Sequence, residues 1–235
     1  AITVFSPDGR LYQVEYAFET VKQGSLAIGI KTKSGVVIAV EEKPRSLQIS
    51  KNPQKMFQVD YHIGAAAAGY IPDARAQVDN ARFFSQSNKL VYDEAVEVQT
   101  VAKHLADQCQ QYTQYAGARP LGVSLIIGGV DISGSSLYLT DPSGAYVLYN
   151  AVAIGANSDT ATEFLEKNYS NDLTLNDAKT LAVAVINLVS EVNEGVNHIK
   201  MSQVDSESKQ FEFIDATEIE KLIESAKTKY PSDTK

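Results

Sequence analysis

The order of hydrophobic patterns constrains this chain more than any single residue does. Apolar runs of strand length come in close succession, two long stretches at helical spacing follow, and the whole order then repeats. In the first block "SLAIGIKT" (25–32) and "GVVIAVEE" (35–42) meet across a Lys-Ser-Gly turn. "KMFQVD" (55–60) and "HIGAAAAG" (62–69) meet at Tyr61, and the alanines require very close neighbours on that strand. Helical patterns follow over 71–92, which opens on Pro72 and Asp73 as helix starts prefer, and over 95–116. The second block has strand runs at 123–131, 136–141, 145–149 and 151–155, then helical runs at 159–169 and 175–193. A strand pair (198–205 and 209–215) and an amphipathic helix (216–227) close the sequence.

Strands grouped before helices, twice, argue against alternating βαβ units. They predict an α+β chain: two antiparallel sheets face to face with helix pairs outside, a four-layer αββα sandwich. No linker composition interrupts residues 1–235, so one domain is expected, with a turn and helix at 6–23 outside the sandwich and a loose tail at 228–235. The opening turn is "SPDG" (6–9), where Pro7 presets the second position and Gly9 suits the fourth. Leu11, Val14, Ala17, Phe18 and Val21 then share a helical stripe, and Gly24 ends it.

Composition removes several function classes. A formal net charge of -8 argues against nucleic acid as a main partner. The single cysteine, Cys109, excludes an internal disulfide and suits a reducing compartment. No secretory pattern opens the sequence and no apolar run reaches the length of a membrane span, so a soluble intracellular protein is expected. "GAAAAGYI" lacks the Lys-Ser/Thr of a phosphate loop, and "IGANSDTATEF" lacks its glycine spacing. His62, His104 and His198 are far apart, and His104 and Cys109 do not share a helix face. There is no G-x-S-x-G elbow. Read by itself, Lys55 is a solvated lysine after a polar loop.

Four stretches together resemble proteasome α subunits of the 20S core particle: "AITVFSPDGRLYQVEYAFE" (1–19), "QQYTQYAGARPLGVSLIIGGVD" (110–131), "LTDPSGAYVLYNAVAIG" (139–155) and "FLEKNY" (164–169). They occur in the family's order and spacing, across essentially the whole chain, and the second of them resembles archaeal members most. The resemblance implies the N-terminal nucleophile hydrolase fold. In the proteolytic β relatives a threonine becomes the first residue after cleavage, and its own amine serves as general base. Ser25, Glu41 and Lys55 stand where that nucleophile, acid and lysine would be. Ser25 is internal, however, so no peptidase activity and no cofactor are expected; the rival reading is a self-processed hydrolase using Ser25. A third possibility is a free-standing binding module.

The resemblance further implies a cytoplasmic protein, also nuclear in a eukaryotic setting. Its expected partners are other α subunits in a homoheptamer, β subunits, the C-terminal tails of an AAA+ ATPase particle, and unfolded protein substrates. Lys55, Gly69, Gly24, Leu11 and Glu15 match the activator-tail pocket, with Lys55 facing the tail carboxylate. Pro7, Asp8, Gly9 and Tyr16 match the gate.

Overall fold

The computed structural model describes residues 4–43, 47–49, 53–190 and 196–231. Its first element is helix α1 (Tyr12–Gln23), which buries Val14, Ala17 and Val21. Next come β1 (Ala27–Thr32), β2 (Gly35–Glu41), β3 (Met56–Asp60) and β4 (Ile63–Gly69), then α2 (Ile71–Tyr92) and α3 (Val98–Tyr112). The second block comprises β5 (Val123–Asp131), β6 (Gly134–Thr140), β7 (Tyr146–Leu148), β8 (Ala151–Ile154), α4 (Ser158–Asn168) and α5 (Leu175–Val189). β9 (Ile199–Asp205), β10 (Phe211–Phe213) and α6 (Ala216–Lys229) complete it.

The strands form two five-stranded sheets, ordered β10-β9-β2-β1-β8 and β3-β4-β5-β6-β7, with antiparallel pairing throughout. Helices α4, α5 and α6 cover the outer face of the first sheet, where Ile28, Ile30, Val37 and Ala39 meet Leu181, Val185 and Leu222. Helices α2 and α3 cover the second, where Ala65, Ala67, Leu125 and Ile127 meet Val78, Val101 and Leu105. Between the sheets lie Val36, Ile38, Val40, Ala66, Ala68, Ile126 and Leu137. The alternation of period two is what divides each strand between these layers. The alanine run therefore serves two interfaces: Ala65 and Ala67 let helices approach, while Ala66 and Ala68 let the other sheet approach.

Several boundaries differ from expectation for local reasons. The second long helix begins at Val98 rather than 95, because the Asp131 carboxylate at the end of β5 accepts from the Val98 amide at 2.9 Å. α5 ends at Val189, where Ser190 turns extended and its hydroxyl reaches Glu41. The remainder of the expected helix, 191–193, lies outside the described residues. Residues 228–231 of the expected loose tail are placed, the first two of them within α6. α6 runs to Lys229, which pairs with Asp177 at 2.7 Å, and the Tyr230 ring meets Phe164 edge-on at 5.8 Å. Residues 232–235 lie outside the described residues. The helix at the start is not separate from the sandwich either, since Val21 joins the layer between the sheets.

Glycine makes the inter-sheet layer thin. A methyl group at Gly29 would come within 2.7 Å of Leu137 Cδ1 and 2.8 Å of Ile126 Cγ2. Gly29→Ala is expected to destabilise the chain by about 1–3 kcal/mol through overpacking. Urea denaturation checks this, and an unchanged midpoint would show that the layer has slack.

Candidate functional site

The end of α1 is pinned where three backbone segments converge. The Gly24 amide closes the helix on the Val21 carbonyl at 3.0 Å, and Gly24 itself is extended (φ -68, ψ 148). Its glycine is required by proximity rather than by turn geometry: a Cβ there would overlap the amide nitrogen of Gly69. Gly69, with φ +116, lies in turn on the Gly122 carbonyl, and Ala156 donates its amide to the Gly24 carbonyl at 2.7 Å. The ends of β4 and β8 thus hold the junction at which β1 begins.

Ser25 follows at that junction. Its hydroxyl donates to the Glu41 carbonyl at 2.8 Å. Lys55, immediately before β3, reaches across from the other sheet. Its ammonium donates to the Ser25 carbonyl, to Ser25 Oγ at 2.9 Å and to the Leu26 carbonyl at 3.2 Å. Those acceptors use all three donors of a lysine. Lys55 is only 4% exposed, so it is not the solvated side chain expected from its position in the sequence. Burial pushes its pKa down to about 7, with the nearby Glu42 and Glu41 charges opposing the shift.

Of the three residues matched to the catalytic positions, Ser25 and Lys55 meet, while the Glu41 carboxylate turns away. It accepts from Ser190 Oγ at 2.8 Å and stands 3.7 Å from Lys43. The acid on the Lys55 side is Glu42, whose Oε1 accepts the Gln54 and Lys55 amides at 2.5 and 3.2 Å. Strand alternation explains the exchange: Val37, Ala39 and Glu41 continue the face towards α5, whereas Val36, Ile38 and Val40 face the other sheet. Position 42 resumes that second face, a signal already present in the sequence.

The residues matched to the tail pocket fall into two groups. Lys55, Gly24 and Gly69 share the junction at the C-terminal end of α1. Leu11, its N-cap, and Glu15, in its first turn, lie about 20 and 14 Å away at the helical rise. Glu15 is held there by Arg10, which donates from Nε at 2.7 Å and Nη2 at 2.5 Å. This bidentate bond also holds the Glu15 carboxyl below its ordinary range. Arg10 approaches Asp8 at 3.8 Å, so it joins the turn to the helix, a role the sequence pattern did not reveal. The turn itself is closed by Gly9 donating to the Ser6 carbonyl at 2.8 Å, and Gly9 takes φ +79. Pro7 and Asp8 occupy its middle positions. Tyr16 is 61% exposed and lines a hollow with Gln13, Thr20, Tyr70 and Arg119. Arg119 binds Asp73 with two bonds of 2.7 and 2.9 Å. Cys109 Sγ accepts from Gln77 Nε2 at 2.8 Å, and burial raises its thiol to about 11.

A family model described as proteasome subunit matches residues 21–202, and a second model, the N-terminal signature of A-type proteasome subunits, matches residues 1–19. The chain belongs to the proteasome α-subunit family. A proteasome subunit alpha from Methanothermobacter thermautotrophicus is 44% identical over 95% of this chain and 91% of its own length. One from Saccharolobus islandicus is 51% identical over 83% of this chain and 81% of its own. One from Methanococcus maripaludis is 44% identical over 99% of this chain and 90% of its own. The four-layer sandwich of two antiparallel sheets is accordingly the N-terminal nucleophile hydrolase architecture of this α-subunit family.

The buried lysine gives this family member a pH signature. Lys55 titrates near 7 when folded and near 10.5 ordinarily. Between those values the unfolded chain binds a proton that the folded chain lacks, so this group makes stability rise with pH. From pH 7 to pH 9 the urea midpoint of the parent chain is expected to rise relative to that of Lys55→Met. A difference that stays constant over that range would contradict the burial argument.

Proposed function

We propose that this chain is a non-catalytic α-ring subunit of a 20S proteasome in the cytoplasm. Seven copies form the outer ring, stack on proteolytic β subunits, and gate the entry of unfolded proteins. Pockets between neighbouring copies receive the C-terminal tails of an AAA+ ATPase activator. The observation that carries this reading is the position of Ser25. Its nitrogen is in a peptide bond to Gly24 beneath a formed helix, so it offers no α-amine to act as base.

Two further observations support the docking and gating parts. The matched pocket residues lie at opposite ends of α1, which suits a pocket completed by the next copy's helix. Asp8, Arg10 and Glu15 tie the Pro7 turn to the first turn of α1, so a displacement of the helix would carry the turn with it. A tail carboxylate reaching Lys55 would make a charge-assisted hydrogen bond at the junction of α1 and β1.

The test is binding of a tail peptide with a free carboxylate to the assembled particle. Lys55→Ala is expected to weaken it by about 2–5 kcal/mol, as loss of one partner from a desolvated charge pair does. Unchanged affinity would remove Lys55 from the pocket. The contact between Ser25 Oγ and Lys55 Nζ at 2.9 Å favours a second reading, a self-processing serine hydrolase. Intact-mass measurement separates the two: a chain cleaved before Ser25 in active particles supports the hydrolase, and one that retains α1 excludes it.

A further inference from the structure

Among the described residues, no carboxylate pairs with the buried Lys55 amine. Its ammonium donates to uncharged oxygens, two carbonyls and one hydroxyl. The two acids nearby are committed elsewhere. Glu41 takes the Ser190 hydroxyl and lies near Lys43, and Glu42 takes two backbone amides. A charge in such a place loses its hydration without gaining an ionic contact. Burial accordingly brings Lys55 down to about 7, so near neutral pH a substantial share of empty sites holds the neutral amine. An uncharged amine has no ionic attraction for an arriving carboxylate, which Glu41 and Glu42 would meanwhile repel.

Resting on the docking role given above, we propose that seating a tail carboxylate at this site takes up one proton from solvent onto Lys55, making the pocket a proton-linked receptor for carboxy-terminal peptides. No covalent bond changes: amine, proton and carboxylate become an ammonium–carboxylate pair. The geometry also indicates which existing bond gives way. The Leu26 carbonyl is fixed in the backbone and accepts the Glu41 amide at 2.9 Å as well. The Ser25 carbonyl is equally part of the chain. Ser25 Oγ is the acceptor that sits on a rotatable side chain, so the donor now given to it is the one a carboxylate takes over. The hydroxyl keeps its own bond to the Glu41 carbonyl.

The experiment is calorimetric titration of the assembled particle with an acetylated tail peptide bearing a free carboxylate. It is run at pH 6.0 and pH 8.5, each in two buffers of different ionisation heat. Expected are uptake approaching one proton per site at pH 8.5, little at pH 6.0, and affinity about 10-fold or more tighter at the lower pH. Binding with flat affinity and no uptake would overturn the proton linkage and leave docking intact. No binding at either pH would instead overturn docking itself, and the linkage with it. Lys55→Arg, charged throughout this range, is expected to bind without uptake, and uptake that persists in it would overturn the assignment to Lys55. Should that variant not assemble, the same peptide ending in an amide serves: uptake on binding the amide would likewise overturn the proposal.

Discussion

Gly24 and Gly69 meet backbone to backbone, and the site depends on that contact. No side chain fits between them, so the last turn of α1 closes directly on the end of β4. The Gly24 carbonyl then accepts the Ala156 amide, which fixes the same point to the segment after β8. With α1 anchored in this way, β1 begins directly after a fixed junction that contains Ser25. Ser25, which the family resemblance matches to the nucleophile position, has a hydroxyl and a lysine neighbour and no free amine. The peptide bond from Gly24 to Ser25 thus lies under the end of α1, at the point where this packing contact pins the helix.

Lys55 makes the same junction a polar anchor. It bridges the two sheets, because it precedes β3 of one sheet and binds the residues that open β1 of the other. Removing the ammonium would take a bond from the Ser25 and Leu26 carbonyls, the latter keeping the Glu41 amide, and keeping it requires a cation in a poorly hydrated place. The compromise is a lysine that titrates in the physiological range. Under the proposed docking role, structure and recognition would be coupled in this one side chain.

Much of the architecture was legible in the sequence, because binary patterning reports layers directly. The strand runs and the helix at 71–92 appear where their periodicity placed them. Boundaries fixed by distant partners were not legible: the start of α3 depends on Asp131, and the end of α6 depends on Asp177 and Phe164. At the site, the family resemblance matched Ser25 and Lys55, which do meet, whereas the sequence pattern alone read Lys55 as solvated. Glu41 and Glu42 could be told apart only by carrying the alternation of β2 one residue past its end. Arg10 left no pattern at all, since its role arises from two acids on either side of it in a turn that had first to fold. Gly24 was recognisable as a helix end, but the reason for glycine there is a neighbour forty-five residues away.

The proposed function belongs to a ring and not to a single chain. Native mass spectrometry of the purified protein tests this most directly. The predicted result is assemblies built on seven copies of a chain that still carries α1. A stable monomer that forms no ring under any assembly condition would contradict it.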